Sequence, residues 1–192
     1  MGMAMLVDRQ ILEALDTGDI AITPTDGLAR RIQPASLDVR LGDTFAVFVR
    51  NHNGMIDPKV DTTKCWRFDT IPADGYYVVH PDELVLATTL ESVELADTIL
   101  ARVEGKSSLG RLGVLVHATA GYIDPGWAMA PITLEISTVI GVAVKLYPGM
   151  PIAQLAFERV ERATTGYAGK YVGQRGPTPS QYHRNWMGSG WT

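Results

Sequence analysis

The 192-residue chain predicts an all-β domain with a small helical fringe, and three observations carry that expectation. Short β-prone runs follow one another at close spacing from Pro24 onward. Gly- and Pro-containing turn signals separate them. The long helical patterns that a doubly wound α/β sheet needs between its strands are absent. A sandwich, a jelly roll or a barrel satisfies all three.

The elements follow in order. Val7, Ile11, Leu12 and Leu15 recur at helical spacing, with Asp8 placed to cap the N-terminus and Gly18 just past the end, which predicts one short helix. Strands are predicted at Ser36–Arg40, Thr44–Arg50, Tyr76–Val79, Leu84–Thr89, Ile99–Val103, Val114–His117, Ile132–Thr138, Val142–Leu146 and Gln154–Arg159. Leu41-Gly42-Asp43, Ala73-Asp74-Gly75, His80-Pro81-Asp82, Asp124-Pro125-Gly126 and Tyr147-Pro148-Gly149 supply the turns. From Thr164 the chain turns Gly/Pro-rich, polar and poor in aliphatic residues. Residues 1–163 are therefore expected to form one domain and residues 164–192 a flexible tail, either a frayed terminus or a flap whose Lys170, Gln174 and Arg175 reach over an anion.

Charge and cysteine usage narrow the function. Seventeen basic against 21 acidic residues give a net charge of −4 without a Lys/Arg block, so nucleic acid is not the expected partner. Cys65 is the only cysteine, which rules out an intrachain disulfide and a Cys-Xaa-Xaa-Cys zinc site. The apolar start at Met1–Met5 is cut off by Asp8 and Arg9 before it reaches the length of a secretory signal. No run approaches the roughly 18 apolar residues of a membrane span, and a cytoplasmic protein is expected. His52, His80, His117 and His183 are scattered without metal-ligand spacing.

Three segments concentrate polar groups beside Gly or Pro. The first, EGKSSLGRLG (Glu104–Gly113), resembles the end of a P-loop, yet Leu100 stands where that pattern needs Gly. Gly110 and Gly113 also weaken any following helix, by about 1 kcal/mol each against Ala. A turn carrying anion donors remains: Lys106, Ser107, Ser108 and Arg111. The second is HATAGYIDPGW (His117–Trp127). In the third, PITLEIS (Pro131–Ser137), the strand period puts Thr133, Glu135 and Ser137 on one face and Ile132, Leu134 and Ile136 on the other. Glu135 then faces either water or a pocket; a pocket would raise its pKa towards general acid/base work. Taken singly, Asp124 reads as a turn cap, His117 as a core residue, and Lys106 and Arg111 as solvated charges.

These segments, with YPGMPIAQLAF (Tyr147–Phe157), KYVGQRGPTPS (Lys170–Ser180) and an opening QPASLDVR (Gln33–Arg40), resemble the dCTP deaminases of the trimeric dUTPase superfamily, in family order and over most of the chain. The resemblance implies a distorted β-barrel or jelly roll of the dUTPase-like (β-clip) type, assembled as a homotrimer with active sites between subunits. Glu135 matches the carboxylate that shuttles the proton while water attacks C4 of cytosine. Lys106, Ser107, Ser108, Leu109, Gly110 and Arg111 match the loop that holds triphosphate and orients water. Ser107 and Arg111 lie nearest the base. Asp124 matches the ligand of the deoxyribose 3′-hydroxyl, Thr133 and Leu134 the base-reading strand, and Gln154 a phosphate-side ligand. Lys170 and Gln174 match the closing tail, and Tyr167 its ribose-stacking tyrosine. Mg²⁺ is implied as part of the nucleotide triphosphate complex rather than on protein ligands, zinc is not, and dTTP is a candidate inhibitor.

Gly121-Tyr122 stands where strict deaminases of the family often carry His-Arg, and so resembles bifunctional members that hydrolyse the dUTP they make to dUMP and diphosphate, with Asp124 as general base. A dUTPase or related deoxynucleotide hydrolase without deaminase activity, or a non-catalytic nucleotide sensor on the same fold, are the competing readings. The segment Trp127-Ala128-Met129-Ala130-Pro131 is one residue longer than the family's, so the turn must absorb the extra residue if Glu135 is to point inward. The loop before Lys170 is shorter.

Overall fold

A computed structural model describes residues 4–49 and 54–187. The strands are β1 (Ala4–Met5), β2 (Ile20–Thr23), β3 (Ile32–Gln33), β4 (Ser36–Arg40), β5 (Thr44–Phe48), β6 (Trp66–Thr70), β7 (Tyr77–Val79), β8 (Val85–Leu95), β9 (Ile99–Gly105), β10 (Val114–Leu115), β11 (Tyr122–Ile123), β12 (Ala130–Thr138), β13 (Val144–Leu146) and β14 (Pro151–Arg159). Among the described residues, helices are confined to α1 (Asp8–Thr17), α2 (Leu28–Arg31), α3 (Ser107–Gly110) and short 3₁₀ turns at Thr63–Cys65 and Tyr182–Trp186. None is long and apolar enough to cross a membrane among the described residues.

The predicted first helix forms, with one correction. Val7 rather than Asp8 is the N-cap, its backbone N–H donating to Gln10 Oε1 at 3.1 Å. Asp8 is the first helical residue, where its charge complements the helix dipole. Gly18 closes the helix in the left-handed conformation, φ 77°. Ile11 and Ala14 face the core, whereas Leu12 points outward.

Two six-stranded sheets face each other in a distorted jelly roll and do not close into a barrel. One runs β11-β9-β14-β4-β3, with β1 also on β14; the other runs β10-β12-β8-β5-β6, with β2 on β8. β13 and β7 form a separate ribbon. Leu37, Phe45, Ile99, Leu134, Ile136 and Phe157 are fully buried between them. The chain passes from one sheet to the other at Leu41, which bridges to Thr89. There Gly42 donates its N–H to Thr88 O at 2.8 Å, and a Cβ on Gly42 would lie only 3.0 Å from Thr88 Oγ1.

Strand positions held better than strand ends. The strand expected at Leu84–Thr89 continues to Leu95, because Thr89-Leu90-Glu91 is a bulge within the strand and not its end. Val114–His117 shrinks to Val114–Leu115, and Val142–Leu146 to Val144–Leu146. Thr44–Arg50 stops at Phe48, with Arg50 and His52 outside the described residues. Ile20–Thr23 and Trp66–Thr70 are strands that local pattern missed. Each is an edge strand paired on one side; Trp66–Thr70 has little apolar alternation to show, and Ile20–Thr23 is only four residues long.

Candidate active site

The site grows from the alternation of β12. Ala130, Ile132, Leu134 and Ile136 are buried, while Thr133, Glu135 and Ser137 on the other face are half-buried. The segment expected to be one residue longer bows outward at exposed Ala128 and Met129, between buried Trp127 and Ala130, and the alternation after it is regular. Glu135 therefore lines a cavity of about 480 Å³. Its backbone N–H donates to Val116 O at 3.0 Å, and the Ala118 N–H donates to Glu135 Oε2 at 2.8 Å. The first bond pins the backbone at Glu135; the second holds one carboxylate oxygen and leaves Oε1 without a protein partner among the described residues.

Tyr122, Asp124, Thr133, Tyr167 and Gln174 line the same cavity, between apolar walls that include Trp66, Leu86 and Trp127. Asp124 opens the turn in which Gly126 adopts φ 75°. The root of the tail packs onto that turn: Tyr167 N–H donates to Pro125 O at 2.9 Å, and the Tyr167 ring lies 4.9 Å from the Trp127 ring. Burial, helped by Tyr171 and Asp124 beside it, pushes the Tyr167 phenol above its ordinary pKa. Further along the tail, Gln174 Nε2 donates to Pro131 O at 2.6 Å and Gln174 Oε1 accepts from Thr133 Oγ1 at 3.3 Å.

Other expected residues lie elsewhere. Lys106, Ser107, Ser108, Leu109, Gly110 and Arg111 do not line this cavity. They form the exit of β9 and the single turn α3, where a turn without helix was expected; Gly110 N–H and Arg111 N–H close it on Lys106 O and Ser107 O. Ser107, Ser108 and Arg111 are exposed, and Lys106 Nζ pairs with Asp38 Oδ1 at 2.6 Å. Gln154 lies opposite Asp38 in the β14–β4 register and accepts from Ser36 Oγ at 3.4 Å, so Asp38, Lys106 and Gln154 form a second polar cluster. Lys170 lines neither group. Leu134 is fully buried, so only its backbone is available to a ligand. Gly121 is backed by Val103, whose O would sit 2.9 Å from a Cβ there.

The sequence reading passed over Asp38 and Tyr171. Asp38 looked like an ordinary outward residue of an alternating strand, and only the β4–β14–β9 pairing brings it beside Lys106. Tyr171 lines the cavity and its hydroxyl accepts from Gln181 N–H at 3.2 Å, but nothing local distinguishes it from Tyr167. No group of three or more His, Cys, Asp or Glu side chains converges among the described residues.

Fold and site together define a class: a jelly-roll β protein with a carboxylate-bearing cavity lined from both sheets, a separate loop of exposed hydroxyl and basic side chains at the end of β9, and a tail laid across the cavity. A profile of the dCTP deaminase-like family matches residues 5–160, and the chain belongs to that family. A relative from Nocardioides sp., described as "dCTP deaminase, dUMP-forming", is 45% identical over 187 residues, covering 94% of this chain and 96% of that protein. A protein of the same description from Corynebacterium glutamicum is also 45% identical over 187 residues, with 94% and 97% covered. The crystal structure of 2′-deoxycytidine 5′-triphosphate deaminase from Agrobacterium tumefaciens shares the fold, with TM-score 0.65 and 23% identity over 83% of this chain and 49% of that one.

Proposed function

We propose that this protein converts dCTP to dUMP in two hydrolyses. Water first replaces the 4-amino group of dCTP, giving dUTP and ammonia; a second water then cleaves dUTP to dUMP and diphosphate. The observation that carries the reading is Glu135: a carboxylate on a cavity wall, one oxygen held by the Ala118 N–H and the other open to a ligand. The full-length relatives described as dUMP-forming support the second step.

In this reading Glu135 takes a proton from the water attacking C4 and returns it to the departing nitrogen, a role worth about 10²–10⁴-fold in rate. Thr133 and the Leu134 backbone read the base edge, Asp124 binds the deoxyribose and serves as general base for the second step, and Tyr167 covers the sugar. Lys170 and Gln174 close over the triphosphate, which arrives as its Mg²⁺ complex; the ion adds charge neutralisation at the phosphates. Ser107, Ser108 and Arg111 do not line the cavity of their own chain, so they serve the cavity of a neighbouring copy in a homotrimer, with Gln154 on the phosphate side. dTTP competes for the same site, and the enzyme works in the cytoplasm in pyrimidine deoxynucleotide synthesis.

Incubation with dCTP and Mg²⁺, resolving ammonia, dUTP, dUMP and diphosphate, tests both steps. Wild-type protein releases ammonia and dUMP without accumulating dUTP. Glu135→Gln loses ammonia release by about 10²-fold or more while retaining triphosphate binding, and Asp124→Asn accumulates dUTP. Ammonia release unchanged in Glu135→Gln would remove the assigned base.

A further inference from the structure

The β8 bulge lies directly behind the site and has no role in the chemistry above. Pro131 pairs with Ser92 and Thr133 with Thr88, so Thr89, Leu90 and Glu91 all face Ile132. Thr89, 1% exposed, holds the loop closed: its Oγ1 accepts the Ile132 N–H at 2.9 Å and donates to Glu91 O at 2.6 Å. Glu91, 0% exposed, is clasped by Arg31 Nη1 at 2.7 Å, Arg40 Nε at 2.7 Å and the Arg40 N–H at 2.8 Å. A buried carboxylate with two guanidinium partners defines one arrangement and makes alternatives costly.

The bulge interrupts the β8–β12 register at one place, and the residues on either side of it, Pro131 and Thr133, are the two that grip Gln174. In a regular ladder the Pro131 carbonyl and the Thr133 hydroxyl would keep the ordinary strand spacing; the bulge twists the strand locally and re-aims them. Gln174 in turn separates the Glu135 cavity from a second cavity of about 590 Å³ that Thr89 lines.

We infer that Thr89, backed by Glu91, is a positioning residue that aims Pro131 and Thr133 at Gln174 and so sets how tightly the tail closes over the substrate. Thr89 acts through Ile132 and touches no reacting atom. The inference deepens the proposed reaction and rests on it only for the kinetic readout; tail docking is measured without turnover.

Two readouts on the full chain test it. Trypsin cleavage after Lys170 and Arg175 reports docking of the tail, and the KM for dCTP reports its closure. Thr89→Val, which removes the hydroxyl and little volume, should raise both by about tenfold, the scale of losing the two Gln174 hydrogen bonds, with kcat held within about threefold. Gln174→Ala should match it, and the double variant should be no worse than either, since both act through one contact. Thr89→Ser should behave as wild type. Additive losses in the double variant, or a Thr89→Val protein whose loss falls on kcat with trypsin cleavage unchanged, would overturn the inference.

Hydrogen exchange on wild-type protein gives the same answer if Thr89→Val does not fold. Saturating α,β-imido-dUTP should slow exchange in the peptide carrying Ile132, and Gln174→Ala should abolish that slowing; exchange indifferent to the ligand in wild type would refute the coupling. If dCTP is not turned over at all, the functional reading fails while the trypsin comparison still decides this one.

Discussion

Gly126 and Gly166 touch, yet alanine at the two positions should have unequal consequences. Gly126 has φ 75°, and an ideal Cβ on it would lie 2.5 Å from Gly166 Cα, 3.1 Å from Tyr167 N and 3.3 Å from Gly166 C. Carbon atoms pack at about 3.5–4.0 Å, so the tail backbone would have to retreat by about 1 Å. The left-handed φ adds about 1–2 kcal/mol of strain to the turn itself. Retreat of Gly166 withdraws the Tyr167 N–H from Pro125 O, a 2.9 Å bond of about 0.5–1.5 kcal/mol net. It also pulls Tyr167 off the Trp127 ring 4.9 Å away, a contact of similar size. The docked tail therefore loses about 1–3 kcal/mol, roughly a fivefold to 150-fold fall in its population. In Gly166→Ala the nearest atom is Gly126 Cα at 3.4 Å, an ordinary contact. Gly126→Ala should raise the KM for dCTP and speed trypsin cleavage after Lys170 by that factor, whereas Gly166→Ala should stay within about threefold of wild type. Equal behaviour of the two variants would show that the packing of the tail root does not govern closure.

Two further predictions concern assembly and acid stability. Because the Arg111 loop does not line the Glu135 cavity of its own chain, Arg111→Ala and Glu135→Ala proteins should each be inactive on dCTP, yet recover activity when denatured, mixed and refolded together; no recovery would refute a site shared between copies. Arg40 holds Asp26 with bonds of 2.7 and 3.0 Å and keeps its carboxyl below the usual 3.8. A lowered carboxylate pKa stabilises the fold above the unfolded value and loses that contribution as pH falls through the folded one. Asp26→Asn should thus lower the urea midpoint modestly at pH 7 and converge on wild type well below pH 3.8; a gap that persists in acid would mean the effect is not ionic.

Much of the fold was legible because it depends on periods of two and 3.6 residues. Ser36–Arg40 was placed to the residue, and the alternation of β12 put Glu135 on its polar face before any partner strand was known. Edge strands such as Trp66–Thr70 were not legible, since a strand with one neighbour and two partly exposed faces has little apolar pattern to show. The bulge at Thr89–Glu91 was equally hidden: in sequence, Glu91 looks like the polar end of a strand, and only Arg31 and Arg40, far off in the chain, make its burial tolerable.

The local sequence by itself determined the class of fold, the faces of the strands and the polar segments that carry the family resemblance, because each depends on neighbours a few residues away. Tertiary structure alone decided how those segments divide. Glu135, Asp124, Thr133, Tyr167 and Gln174 share one cavity, while Lys106 joins Asp38 beside Gln154 outside it. Strand pairing between distant segments produces that division, and the energy of pairing resides in contacts that no short stretch of sequence contains.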